Sequence, residues 1–139
     1  MKKTLYFLVC IFLLAGSAYA MSVKDKDEKE GIINLDSATL KYDFGSVDKD
    51  KVVKKTIKIR NKLDEEIEIK GIGSTCECTS INVKEQKVKR NGIFEAEITF
   101  DSSGLSDNQY LEEVVYILTA SAQYELIRVV VLVKIGNSA

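Results

Sequence analysis

The chain has 139 residues, with 20 lysines and arginines against 21 acids, a formal net charge of −1, and no histidine, proline or tryptophan. That balance offers no basic excess for a general nucleic-acid or anionic-membrane binder. Without histidine there is no imidazole base, no Ser-His-Asp or Cys-His couple, and no histidine ligand for zinc, copper or haem.

The first twenty residues stand apart. Lys2 and Lys3 precede an apolar run over 5–16, and Ala18 and Ala20 flank Tyr19. This is the pattern of a secretory signal peptide cleaved after Ala20. The run falls well short of the about 20 residues that a membrane-crossing helix needs, so no membrane span is expected in the mature chain. Cys10 follows Phe7-Leu8-Val9 in mid-run rather than a small residue at the cleavage point, so it is expected to leave with the signal. The implied address is export, to the periplasm or the extracellular space. About 120 residues remain, which suits one domain burying roughly two-thirds of its unfolded surface.

Residues 21–37 open with a charge-dense stretch over 24–30 followed by Ile32 and Ile33. They are read as a charged flexible leader, with the two isoleucines available to dock on the domain. Residues 38–139 form the domain itself. Its pattern is one of short β-branched runs between polar turns, with little sign of a helical period.

Seven strands are expected. The first covers 40–44 and ends at Gly45-Ser46. The second covers 51–61, with Val53, Ile57 and Ile59 inward and Lys54, Lys58 and Arg60 outward. The third covers 66–72, with Ile67 and Ile69 on one side and Glu66, Glu68 and Lys70 on the other. The fourth lies at 80–83, with a continuation over 86–90, after which Asn91-Gly92 offers the two positive-φ positions of a type I′ hairpin turn. In the fifth, Phe94, Ala96, Ile98 and Phe100 alternate with Glu95, Glu97 and Thr99. The sixth and seventh, 110–119 and 124–135, are apolar on both faces for much of their length. The run over 126–133 suits a strand covered on both sides, or one with a docking face.

Such spacing implies an all-β fold, an immunoglobulin-like sandwich of about seven antiparallel strands preceded by a cleaved signal peptide. In that topology the second and fifth strands are neighbours, which sets the lysine stripe near Glu95 and Glu97 as a structural feature of the solvent face.

Several landmarks follow one another in order: Asp43-Phe44-Gly45-Ser46-Val47, Ile57-Lys58-Ile59-Arg60-Asn61, Thr75-Cys76-Glu77-Cys78-Thr79, Ile98-Thr99-Phe100-Asp101 and Gly104. Together they resemble the bacterial domain-of-unknown-function family fifteen-seventy-three, over residues 39 to about 135. The resemblance implies an immunoglobulin-like fold related to hydin and sperm-protein domains, usually exported, often in envelope proteins, with no established activity. Departures from the family pattern are Thr75 for serine, Glu77 for the glycine between the cysteines, Lys62-Leu63 after the asparagine, and Arg90-Asn91-Gly92 in place of a proline-glycine turn. If the family's C-G-C bends through a glycine-only conformation, Glu77 would hold it less comfortably.

Cys76 and Cys78 are the chemically distinctive residues of the domain. In an extended strand their Cα atoms would lie about 6.5 Å apart, so a bridge requires the chain to bend. Three readings stand side by side: packing or a structural bridge, a redox pair, and two thiolates holding Cu(I). A closed zinc site lacks two ligands on this reading, and Glu77 points to the other face of an extended strand. Asp101, Asp107, Glu112 and Glu113 are read as solvated surface acids. No catalytic residue and no cofactor is expected. The favoured expectation is a non-enzymatic binding or structural module that meets an envelope protein through a sheet surface or strand edge. Its alternative is thiol redox or Cu(I) chemistry at Cys76 and Cys78.

Overall fold

A computed structural model describes residues 31–136. The expected signal peptide and most of the leader lie outside the described residues. Within them the chain is all-β, without a helix, in nine strands. These are β1 (Ile33–Leu35), β2 (Thr39–Val47), β3 (Val52–Asn61), β4 (Ile67–Ser74), β5 (Thr79–Val83), β6 (Lys87–Val88), β7 (Ile93–Asp101), β8 (Tyr110–Thr119) and β9 (Leu126–Ile135). They form a four-stranded sheet in the order β1-β3-β7-β5 and a five-stranded sheet in the order β2-β9-β8-β4-β6.

The alternation expected around residue 98 is what β7 shows: Phe94, Ala96, Ile98 and Phe100 are all fully buried. β7 lies beside β3, as expected, and Lys54 reaches Glu97 at 3.5 Å while Lys58 stands opposite Glu95. From the other sheet, Val115, Ile117, Ile127, Val129 and Val131 supply the facing half of the same core. Phe44 of β2 and Phe100 of β7 meet across it with ring centroids 6.0 Å apart. Burial of this kind stabilises by about 25 cal/mol per Å² of apolar surface, which favours packing the two sheets face to face.

Five expectations are corrected. Strands number nine rather than about seven, and two pairings are parallel, β1 with β3 and β2 with β9, so the sheets are mixed. Residues 33–35, expected in the leader with Ile32 and Ile33 available to dock, form β1: Ile33 packs against the core, Leu35 is fully buried in it, and Ile32 stays exposed. The first expected strand does not stop at Gly45. The register slips by one residue between Asp43 and Gly45, Gly45 takes φ 84°, and β2 runs on to Val47. Such a bulge inserts one extra residue, here Phe44, and a glycine accepts the left-handed backbone it demands.

The expected continuation over 86–90 is instead β6, which pairs with β4 in the opposite sheet. Asn91-Gly92 is consequently not a hairpin turn. Only Asn91 takes positive φ, at 60°, and Gly92 N–H donates to the Lys89 carbonyl at 2.8 Å in a turn that crosses between sheets. A positive φ at the third residue of such a turn is tolerated best by glycine or asparagine.

Candidate functional site

The C-x-C segment is one of the crossings between the sheets, since β4 ends at Ser74 in one and β5 begins at Thr79 in the other. Its backbone is tied down on three sides. Thr75 N–H donates to the Val114 carbonyl of β8 at 3.0 Å, and the Thr75 hydroxyl lies 3.2 Å from the same oxygen. Cys76 N–H donates to the Ser74 hydroxyl at 3.1 Å, and that hydroxyl donates back to the Cys76 carbonyl. Thr79 N–H donates to the Cys76 carbonyl at 3.3 Å, and Asp101 N–H of β7 donates to the Cys78 carbonyl at 2.8 Å.

This turn does what an extended strand could not. It draws the two Cα atoms to 5.2 Å, within disulfide range, and the structure joins Cys76 to Cys78. Both cysteines are half-buried, and Cys78 packs against the edge of the hydrophobic core. Cys78 N–H points at the Cys76 sulfur at 3.1 Å, and Cys78 Sγ lies 3.5 Å from the Thr79 hydroxyl. Glu77 sits exposed at the tip. It is not among the non-glycine residues with positive φ, which are Asp50, Asn91 and Asn108. The bend therefore needs no glycine, and the glutamate stands there without backbone strain.

The carboxylate beside the cysteines is not Glu77 but Glu113. It projects from β8, half-buried, and one of its oxygens lies within 4.8 Å of both sulfurs, which are themselves mutually closer than that. From sequence alone Glu113 reads as solvated surface, because its neighbourhood is created by tertiary structure. The signal that could have found it is the inward parity of β8, in which Val115, Ile117 and Thr119 are buried and Glu113 continues that face. Glu112, one residue earlier, is exposed on the opposite face, and Asp107 lies in a loop away from the cysteines. The Asp101 carboxyl is held below its ordinary range, first by the Ser103 hydroxyl and then by Ser103 N–H, donated at 2.9 Å. It is half-buried at the end of β7 and caps the turn that follows, where Ser103 N–H meets it.

A second surface lies on the outer face of the five-stranded sheet. β9 lies between β2 and β8, and its inward residues are buried, yet Leu132 on the outer face is 36% exposed and Leu118 on β8 is 43% exposed. Gly71 and Gly73 of β4 leave room there, and the Tyr116 ring lies across Gly73. Asp43, Gly45, Tyr110, Glu112 and Lys134 border a shallow groove of about 520 Å³ at the end of this face.

Among solved structures, the fold is similar to that of a protein of unknown function from Porphyromonas gingivalis W83. That match has a TM-score of 0.55 and 18% identity, and covers 70% of this chain and 44% of that one. It is also similar to part of the secreted serine protease VesC from Vibrio cholerae, with a TM-score of 0.51 and 8% identity, covering 70% of this chain and 22% of that one. The chain thus spans less than half of either protein, and at these identities the likeness is one of fold alone. No curated protein matches it. Residues 35–131 match the family described as Protein of unknown function (DUF1573), and the chain belongs to that family.

Proposed function

We propose that the domain is a non-enzymatic binding module of the cell envelope, an immunoglobulin-like sandwich that receives an extended segment of a partner protein along a strand edge. The observation that carries this reading is the condition of the four sheet edges. β1 has three residues and β6 two, and β2 is interrupted by its bulge. All three are blunted in the ways that discourage pairing. β5 is different: five regular residues pair with β7, and no strand among the described residues lies on its other side. The Asp101–Cys78 bond sets the parity, so Ser80 and Asn82 face β7 while Ile81 and Val83 direct their backbone groups outward. An edge of that kind suits strand addition. The signal-peptide pattern at the start of the chain supports the envelope address.

The test is capture of a partner from envelope extracts on immobilised domain, followed by amide exchange of the complex. The wild type and the Cys76→Ser, Cys78→Ser double variant should retain the same partner, with Ile81 and Val83 amides gaining protection. Val83→Pro removes an outward N–H without touching the bonds to β7 and should abolish retention. Retention by the proline variant with unchanged exchange at Ile81 would overturn the reading.

A second reading, thiol chemistry at Cys76 and Cys78, is favoured by the shortness of the bridge. It spans a sequence separation of 2. Closing so small a loop removes little entropy from the unfolded chain, on the order of 2 kcal/mol at most against about 4.7 for a 100-residue loop. A bridge that contributes little as a staple, and is half-exposed, is open to exchange with an incoming thiolate.

A further inference from the structure

We propose that reduction of the Cys76–Cys78 bridge opens a zinc-type site made of the two thiolates and the Glu113 carboxylate. The inference rests on the second reading above, that the bridge is reducible. Zinc takes cysteine sulfur and carboxylate oxygen alike, and sites with three protein ligands and one open position, filled by water, are a standard arrangement for it. The sequence shows only two of the three ligands. The third comes from a strand that the turn is bonded to, and the three ligand atoms already lie within 4.8 Å of one another.

The backbone bonds that place the ligand-bearing segments do not involve the sulfurs. Thr75 is fixed to Val114, the residue after Glu113, by a 3.0 Å backbone bond, and Cys78 is fixed to Asp101 by one of 2.8 Å. Cys78 N–H, aimed at the Cys76 sulfur, would stabilise a thiolate there.

The reaction balances with a dithiol as reductant. One thiolate of the donor attacks a sulfur of the bridge, the S–S bond breaks, and the second donor thiol completes the exchange. Two electrons pass to Cys76 and Cys78, which each gain a proton, and the donor becomes a disulfide. Binding of a divalent cation then releases the two thiol protons, while the Glu113 carboxylate enters already ionised. Two thiolates and one carboxylate leave a residual charge of −1 around Zn(II) and −2 around Cu(I), which favours the divalent ion in a half-buried setting. Oxidation to the disulfide removes both sulfur ligands, so occupancy follows the redox state of the bridge.

The experiment uses the purified chain in oxidised form and after reduction by a phosphine. A thiol titration first confirms two new thiols on reduction; fewer than two overturns the reducible-bridge reading itself. Zn(II) is then offered in competition with a chromophoric chelator, and Co(II) in parallel for its thiolate charge-transfer band. One equivalent should bind the reduced chain and none the oxidised chain. Glu113→Gln, a near-isosteric change, should titrate two thiols as before and weaken Zn(II) binding at least about tenfold. The metal site is overturned if two thiols appear but Zn(II) does not bind, if the oxidised chain binds equally, or if Glu113→Gln binds as tightly as wild type. Tight Cu(I) binding indifferent to Glu113, with no Zn(II) uptake, would show a two-sulfur site and refute the three-ligand one.

Discussion

Lys55 of β3 donates a 2.7 Å hydrogen bond to the carbonyl of Phe44 in β2, tying one sheet to the other. The bulge explains why that carbonyl is available. Asp43 pairs with Leu132 and Gly45 with Val133, so Phe44 is the extra residue without a place in the ladder. Its ring turns into the core and its carbonyl is met by the ammonium, which also sits 5.0 Å from the ring centroid. Lys55 therefore faces inward with Ile57 and Ile59, an inward charge that solves a hydrogen-bonding problem created by the bulge.

Lys55→Met keeps the aliphatic stem and removes the donor. A hydrogen bond from a charged group contributes about 1.5–3 kcal/mol, and a stability loss in that range is expected in urea or guanidinium titration, with an unchanged slope. A loss under 0.5 kcal/mol would show that water replaces the ammonium at the Phe44 carbonyl.

Asn61 is another internal polar tie. It is fully buried, and its side-chain amide donates to the carbonyls of Glu65, Val88 and Lys89 at 2.9–3.2 Å while its oxygen accepts from Leu63 N–H at 3.0 Å. Asn61→Ala removes the donor from the buried Val88 carbonyl and from the part-buried Glu65 and Lys89 carbonyls, and should destabilise by about 3 kcal/mol, read by thermal or chemical unfolding. Asn61→Asp replaces the donor with an acceptor facing the same carbonyls, and should be no better.

Gly92→Ala should cost more than about 1 kcal/mol, although Gly92 does not take positive φ. A Cβ there would lie 2.8 Å from the Lys89 carbonyl oxygen, a backbone atom already bonded to Gly92 N–H. The turn must open to accept it. Comparing it with Gly104→Ala by unfolding separates crowding from backbone strain, because at Gly104 φ is +76° and nothing lies within 4 Å of the added carbon.

These residues also mark where the sequence was readable. β7 was legible in full because its alternation of Phe94, Ala96, Ile98 and Phe100 with polar residues is local, and both neighbours in the sheet simply obey it. Gly45 reads as a stop because a glycine after a short apolar run marks a turn and a bulge equally well; only the ladder with β9 distinguishes them. β1 escaped because three residues carry no period, and its existence depends on a parallel partner, β3, that begins at Val52. At the site, the cysteines declared themselves by composition. Glu113 did not, since nothing local distinguishes it from Glu112 until the C-x-C turn is fastened to β8.

Stability should fall on the acid side through the carboxylate of Glu65. Its pKa is held below the ordinary value, first by the Ser121 hydroxyl, donating at 2.5 Å, and then by Gln123 N–H at 3.3 Å. A folded-state value below the unfolded one contributes stability that is fully present above the unfolded pKa of about 4.3 and is lost as pH falls through the depressed folded value. Glu68, lowered by the Lys70 ammonium, and Asp101, lowered by Ser103, act in the same direction. Unfolding followed between neutral pH and pH 3 should therefore show a declining acid limb. Ser121→Ala should flatten it, and an equally steep limb in that variant would assign the decline to other groups.

Reduction of the Cys76–Cys78 bridge should leave the domain folded. The bridge closes a loop of minimal length, and the chain on either side is held by Thr75 to Val114, Thr79 to Cys76 and Cys78 to Asp101 hydrogen bonds that do not involve the sulfurs. On loop entropy alone the loss is about 2 kcal/mol or less, a fraction of the 5–15 kcal/mol typical of a domain. The Cys76→Ser, Cys78→Ser double variant should show the same modest drop and a wild-type far-ultraviolet dichroism spectrum. Near-complete unfolding on reduction would mean that the bridge itself holds the β4–β5 crossing and that the fold depends on it. A small loss instead places the value of the cysteines in what their sulfurs and the neighbouring Glu113 can bind or exchange.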